Sequence, residues 1–415
     1  MAAESGKHGQ GGARAPSVPA LRPACTGLVL SGGGARAAYQ VGVLKALVRI
    51  LGERPGSLRA NPFHILCGTS AGAINAAVLA CGAHHLPQTV DRMLEVWGNF
   101  HAGQVYRTDV LKTPRFASNW LSMLAFAMTL ARVGRRKQPS LLDNQPLSDL
   151  LQEVLDFDRL GANLADGVLQ ALAIGATGYT SGQHITFYQS AYEIEPWSRS
   201  LRTAVRADIG IEHLLASSAI PFVFPARRLL VHGEPEWCGD GSMRQLAPIS
   251  PAIHLGARRV LIISGGHSEV DPHRRTSSAT YPSLAQIGGH ALSNIFLDSL
   301  DSDIEGIERV NHLLSRLPPE ERWKGPLRPI RVLTISPSRP LDEIAARHQD
   351  SLPPAMRSLL RGMGVSAVPG ELSGATLASY LLFESDYTRE LIDLGFGDTL
   401  VRSSEVLAFF RTDEE

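Results

Sequence analysis

Two short glycine-bounded stretches and one distant Asp-Gly pair carry the residue types that acyl-transfer chemistry needs. Gly68-Thr69-Ser70-Ala71-Gly72 fits G-x-S-x-G. A serine at a sharp strand-to-helix turn projects its hydroxyl beyond a sheet, and glycines two residues to either side let neighbouring backbone pass close by. The helix that follows aims its dipole and its unpaired N–H groups at developing negative charge. Upstream, Gly32-Gly33-Gly34-Ala35-Arg36 offers backbone N–H donors unhindered by side chains. With Ala71 these glycines are candidate donors to the oxyanion of a tetrahedral intermediate. Arg36 fits two roles, an ion pair that anchors the loop or a contact to substrate phosphate.

A serine nucleophile needs a base. The chain has 14 histidines, and none sits in a context that singles it out. His84-His85 follow a helical stretch, and His254 and His267 flank a late strand. In Trp237-Cys-Gly-Asp240-Gly241 an acid lies in a glycine-flanked turn beyond a β-like segment. A carboxylate shielded from water has its pKa raised and so accepts a proton. Asp-Gly also makes an ordinary Asx-type turn, and the residues alone leave both roles open. The glycine stretch has a rival reading as well. Gly32, Gly34 and Ala37 fit G-x-G-x-x-A after a strand, with Glu53 about 20 residues on, as a dinucleotide fold requires. That reading leaves the serine elbow unexplained, and Glu53 lies before the second strand rather than at its end.

The elements that would hold these residues follow from hydrophobic pattern. Thr26 to Ser31 is a short apolar run that reads as a buried strand, and Ala35 to Ile50 carries helical spacing. The unit repeats as strand Phe63 to Cys67, turn Gly68 to Gly72 and small-residue helix Ala73 to Ala80. Two strand–glycine turn–helix units predict a parallel sheet covered by helices. Further on, Gln145 to Leu160 reads as one helix, Leu169 to Ala176 as a strand, and Gln183 to Gln189 as a strand alternating toward an edge. A short helix over Ile211 to Ser217, late strands over Arg259 to Ser264 and Arg331 to Ile335, and a largely helical Ser338 to Phe410 complete the pattern.

Composition narrows the function classes. Lys+Arg and Asp+Glu both total 40, so the formal net charge is zero and no global field recruits nucleic acid. Four cysteines without a CxxC or a paired framework read as reduced, buried thiols. Residues 1–24 are rich in Gly, Ala, Ser and Pro, lack a signal peptide's apolar core, and are expected to be a disordered leader. No uncharged apolar run reaches the roughly 18 residues of a membrane span. A cytoplasmic protein, or one peripheral on the inner face of a membrane, is the expectation. Trp120 to Val133 is apolar nearly all round and is followed by Arg135, Arg136 and Lys137. It reads either as a core helix or as a lid that rests on lipid.

Taken together, in order and spacing, these pieces resemble the patatin-like phospholipases, lipid acyl hydrolases of bacterial type among them. The matching residues are Gly32-Gly33-Gly34-Ala35-Arg36, Gly68-Thr-Ser70-Ala-Gly72 and Asp240-Gly241. Ala216-Ser-Ser-Ala-Ile-Pro-Phe-Val-Phe-Pro225 resembles the family's helix-to-loop segment beside the site. The resemblance implies a three-layer α/β/α fold with a mostly parallel sheet and a helical C-terminal extension. Its expected organisation is a catalytic domain over 25–255, with a helical insertion at about 86–144, and a part over 256–415 that completes the sheet. It further implies a Ser70–Asp240 dyad without histidine, no metal or organic cofactor, and a phospholipid or other long-chain acyl ester as substrate. Ala37 stands where the family often has glycine, and Ser242 where glycine or alanine is usual. A catalytically silent scaffold of the same fold and an α/β-hydrolase with a histidine triad are the competing readings.

Overall fold

The computed structural model describes residues 25–52, 61–107, 140, 142–221, 223–266, 286–287, 289, 298–322, 324–325, 327–362, 364–365 and 374–411. Trp120 to Val133, the leader, Glu53 and His267 lie outside them. Among the described residues ten strands form one sheet: β1 Cys25–Leu30, β2 Ile65–Thr69, β3 Ala171–Gly178, β4 His184–Ser190, β5 Ser198–Arg199, β6 Arg202–Arg206, β7 Arg227–Val231, β8 Glu234–Asp240, β9 Ala257–Ile263 and β10 Arg331–Ile335. The order is β10-β9-β1-β2-β3-β4-β6-β5, and β8 of a β7–β8 hairpin joins β3. The five strands from β10 to β3 are mutually parallel, as the repeated strand–turn–helix units predict.

Alternation along β1 divides the core. Leu28 and Leu30 enter one apolar cluster with α1 (Ala38–Gly52), α2 (Ala71–Cys81) and α3 (Leu86–Gly98), while Val29 enters another. That second layer contains Ala252 of α7 (Ser250–His254) and Leu300 of α8 (Asp298–Ser315). Strands buried on both faces need continuous apolar runs, and β1 and β3 are buried along their whole length. Before β3 come α4 (Gln145–Val154) and α5 (Phe157–Ala165), and between β6 and β7 lies α6 (Ile211–Ser217). The C-terminal part is helical as expected: α9 Leu341–His348, α10 Pro354–Gly362, α11 Ala375–Leu381, α12 Ser385–Val401 and α13 Ser403–Phe410. Among the described residues no helix is long and apolar enough to cross a membrane.

Two expectations are corrected. Residues 145–160 are not one helix: the chain breaks at Leu155, and the Asp156 side chain caps α5 by accepting from the N–H groups of Asp158 and Arg159. Nor is β4 an edge; it lies between β3 and β6 and is buried at six of its seven residues. Its polar side chains are internal because they find partners there, as His184 does on the Gly241 carbonyl.

Candidate active site

Register brings the distant pieces together. β2 ends at Thr69, opposite Gly175 of β3. One step further along the same edge, Ala176 pairs with Asp240 of β8, because the other edge of β3 is occupied by β4. Ser70, the residue after β2, and Asp240, the end of β8, are therefore neighbours at the C-terminal edge of the parallel strands.

Ser70 stands at the start of α2 with φ 55° and ψ −130°, a conformation unfavourable for a residue with a side chain. Its surroundings hold it there. The Ser70 N–H donates to Ser217 Oγ at 2.9 Å, and the Ser217 hydroxyl donates to the Gly175 carbonyl at 2.6 Å. A Cβ on Gly68 would collide with the Gly72 carbonyl, and one on Gly72 with the carbonyls of Leu30 and Ser31. Close backbone passage is thus what both motif glycines supply. The N–H groups of Ala71 and Gly72 fall in the first turn of α2, where a helix has no internal acceptors for them. Gly34 has φ +55° and opens a short 3₁₀ turn, Gly34–Ala37, directly after Gly32 and Gly33.

Asp240 is fully buried, and burial pushes its carboxyl up to about 6. The Ser242 N–H and the nearby hydroxyls of Ser70 and Ser242 pull the other way. Oδ1 accepts from the Ser242 N–H at 2.9 Å, the Asx-turn role expected of Asp-Gly. Oδ2 is buried without a partner of full hydrogen-bond geometry, although the Ser70 hydroxyl is close enough to favour the carboxylate. The turn therefore uses one carboxylate oxygen and leaves the other out of it. Gly241 passes against β3, where a Cβ would collide with the Gly175 carbonyl.

Arg36 is held by neutral groups rather than by the ion pair expected of a loop anchor. It is buried, its Nε donates to Ser379 Oγ at 2.7 Å, and its guanidinium lies 4.2 Å from the Tyr380 ring centre. Both partners belong to α11, which places C-terminal helices behind the glycine loop. The histidines named from sequence are elsewhere: His84 pairs with Asp166 at the surface, and His254 stacks on Trp197 beyond the N-terminal end of β9. A different histidine, His184, lies beneath the Asp-Gly turn. Its Nδ1 donates to the Gly241 carbonyl at 3.2 Å, and burial lowers its pKa to about 4, so it is a neutral support. Nothing local marked His184 or Ser217; only strand pairing brings them here.

Beside Ser70 opens an apolar pocket. Three helices line it with stripes at helical spacing: Ala71, Ile74, Asn75 and Val78 of α2; Met93, Val96 and Trp97 of α3; and Leu147, Leu150, Leu151 and Val154 of α4. Among the described residues Arg92 is the one charged side chain lining it, and Ser218 adds a buried hydroxyl without a partner. Such a wall suits an aliphatic chain. Among the described residues no cluster of three or more His, Cys, Asp or Glu side chains could hold a metal ion.

The profile of the family described as patatin-like phospholipase matches residues 28–253, more than half of the chain. The chain belongs to this family. Its patatin-like part thus begins in β1 and ends in α7, enclosing the glycine loop, the serine elbow and Asp240. The family acts on lipid, and the fold agrees with the mixed α/β architecture that the resemblance implied. No curated protein matches the chain. Among solved structures it is similar to VipD from Legionella pneumophila, at 13% identity over 89% of this chain and 67% of that one, TM-score 0.29. It is also similar to human GIVD cytosolic phospholipase A2, at 14% identity over 94% and 60%, TM-score 0.41. ExoU of Pseudomonas aeruginosa, in complex with SpcU, is similar at 15% identity over 92% and 77%, TM-score 0.26. The chain spans about 60% of the human phospholipase's length. Likeness at these scores carries no argument about activity.

Proposed function

We propose that this patatin-like chain is a serine lipid acyl hydrolase of the phospholipase A or lysophospholipase type, working through a Ser70–Asp240 dyad. The observation that carries the reading is a buried carboxylate with a raised pKa beside a strained serine that opens onto an apolar pocket. A base with pKa near 6 is ionised at neutral pH and is stronger than an ordinary carboxylate. Asp240 takes the hydroxyl proton as Ser70 Oγ attacks the ester carbonyl. The N–H groups of Gly33, Gly34 and Ala71 receive the oxyanion. Asp240 returns its proton to the leaving alcohol, and an acyl-serine remains with its chain in the pocket. Water then attacks that acyl group, Asp240 removes the water's proton, and fatty acid leaves as Ser70 is reprotonated.

The substrate is a glycerophospholipid or another long-chain acyl ester, without a metal or organic cofactor. Peripheral contact with a lipid surface is assigned to Trp120 to Val133 on its sequence pattern alone. The test compares fatty acid and lysolipid released by wild type and by Ser70→Ala. The variant is expected to fold normally and to lose at least about three orders of magnitude in turnover. Retention of more than about a tenth of turnover would end the reading.

A further inference from the structure

A relay of buried amides joins the glycine loop to the wall of the pocket. The Gln40 side chain, on α1, donates from Nε2 to the Ser31 carbonyl at 2.8 Å, immediately before Gly32. Gln40 Oε1 accepts from Asn75 Nδ2 at 2.9 Å, and the same nitrogen reaches the Ala37 carbonyl at 3.3 Å. Asn75 Oδ1 accepts from Trp97 Nε1 at 3.0 Å. Gln40 is 0% exposed, Asn75 1% and Trp97 7%, so water does not substitute for any of these partners.

The direction of the relay is fixed. An indole N–H only donates, so Asn75 must turn its oxygen to Trp97 and its nitrogen to Gln40. Gln40 must then offer its oxygen to Asn75 and its nitrogen to Ser31. Flipping either amide would set donor against donor inside the core. Asn75 and Trp97 also line the pocket, and Asn75 lies five residues after Ser70 on the same helix. The relay thus ties three parts to one another: the loop that supplies the oxyanion donors, the nucleophile's helix and a ring that touches the acyl chain.

We propose that Asn75 and Gln40 are positioning residues which set the Ser31–Gly34 loop for oxyanion binding, and that an acyl chain packed on Trp97 steadies that setting. The proposal rests on the serine-hydrolase reading and deepens it. Neither amide touches the reacting atoms. Their effect passes through the loop, where a displacement of about 1 Å can cost on the order of a hundredfold in rate.

The test uses Gln40→Met and Asn75→Leu, which keep approximate shape and remove the hydrogen bonds. Active sites are counted by nitrophenolate released from a p-nitrophenyl alkylphosphonate, and kcat per counted site is measured on nitrophenyl esters from butyryl to decanoyl. A fall of about tenfold or more on decanoyl ester, with KM within about threefold, is expected. The gain in kcat with chain length should also shrink. A merely structural role would lower the melting temperature and leave kcat per site within about twofold of wild type; that result overturns the proposal. An equal fall at every chain length would overturn the coupling to the acyl chain. Should both variants fail to fold, Trp97→Phe removes the outermost hydrogen bond together with part of the pocket wall: a fall in kcat on decanoyl ester with KM within about threefold supports the relay, and a change in KM alone overturns it. Failure of the phosphonate to label wild type would instead refute the nucleophile itself.

Discussion

Asp240→Asn is expected to make the protein inactive and, at alkaline pH, more stable. A carboxyl moved by burial from 3.8 to about 6 has its anion disfavoured by roughly 3 kcal/mol. The folded pKa lies above the unfolded one, so the folded state holds this proton more tightly. That advantage is present below about 3.8 and is lost as pH rises to about 6, leaving an unfavourable buried anion above it. Asparagine keeps an oxygen for the Ser242 N–H and removes the charge. At pH 8 the variant should therefore gain up to about 3 kcal/mol, a figure that already includes what the Ser70 and Ser242 hydrogen bonds return to the carboxylate. For a chain of 415 residues that is a melting temperature about 3 °C higher. Calorimetry of both proteins at pH 4, 6 and 8 reads the difference, which should fall toward zero at pH 4, where both side chains are neutral. In parallel, wild-type kcat/KM should drop below pH 6 as Asp240 takes its proton. An Asn variant that is destabilised at pH 8, or whose melting difference is the same at every pH, would refute the argument that burial alone raises this base.

Ser217→Ala removes the acceptor of the Ser70 N–H and the bond to the Gly175 carbonyl. Denaturant titration should show a loss of about 1–3 kcal/mol, and kcat should fall about tenfold as the elbow relaxes. Leu151→Trp fills the pocket opposite α2, so hydrolysis of long-chain esters should fall while an acetyl ester is spared; equal loss on both would place the acyl chain elsewhere. Leu124→Glu with Phe126→Glu should lower activity on phospholipid vesicles and preserve it on a short soluble ester, and an unfolded protein by circular dichroism would show the segment to be core.

Legibility tracked the distance over which the information is encoded. The strand–glycine turn–helix units around Gly34 and Ser70 each occupy fewer than about 30 residues, and their apolar runs and glycines announce them. The nearness of Asp240 to Ser70 depends on register between β3 and β8, so the residues leave its turn and base roles open; the structure shows the turn, with one carboxylate oxygen outside it. Alternation along β4 signals a half-exposed strand, yet the strand is internal because His184 has an acceptor there. The break at Leu155 was readable in principle, since Asp156 two and three residues before its N–H donors is an ordinary N-cap. Ser217, Asn75 and Gln40 carry no local signal of the bonds they make. Their partners lie 147, 35 and 9 residues away, and no local pattern names them.

The most direct measurement is intact-protein and peptide mass spectrometry after treatment with a long-chain fluorophosphonate. One adduct per chain is expected, on the peptide that contains Ser70, with hydrolysis lost in proportion to labelling and no adduct on Ser70→Ala. Unlabelled Ser70 in a preparation that still hydrolyses lipid, or an adduct on another residue, would contradict the account.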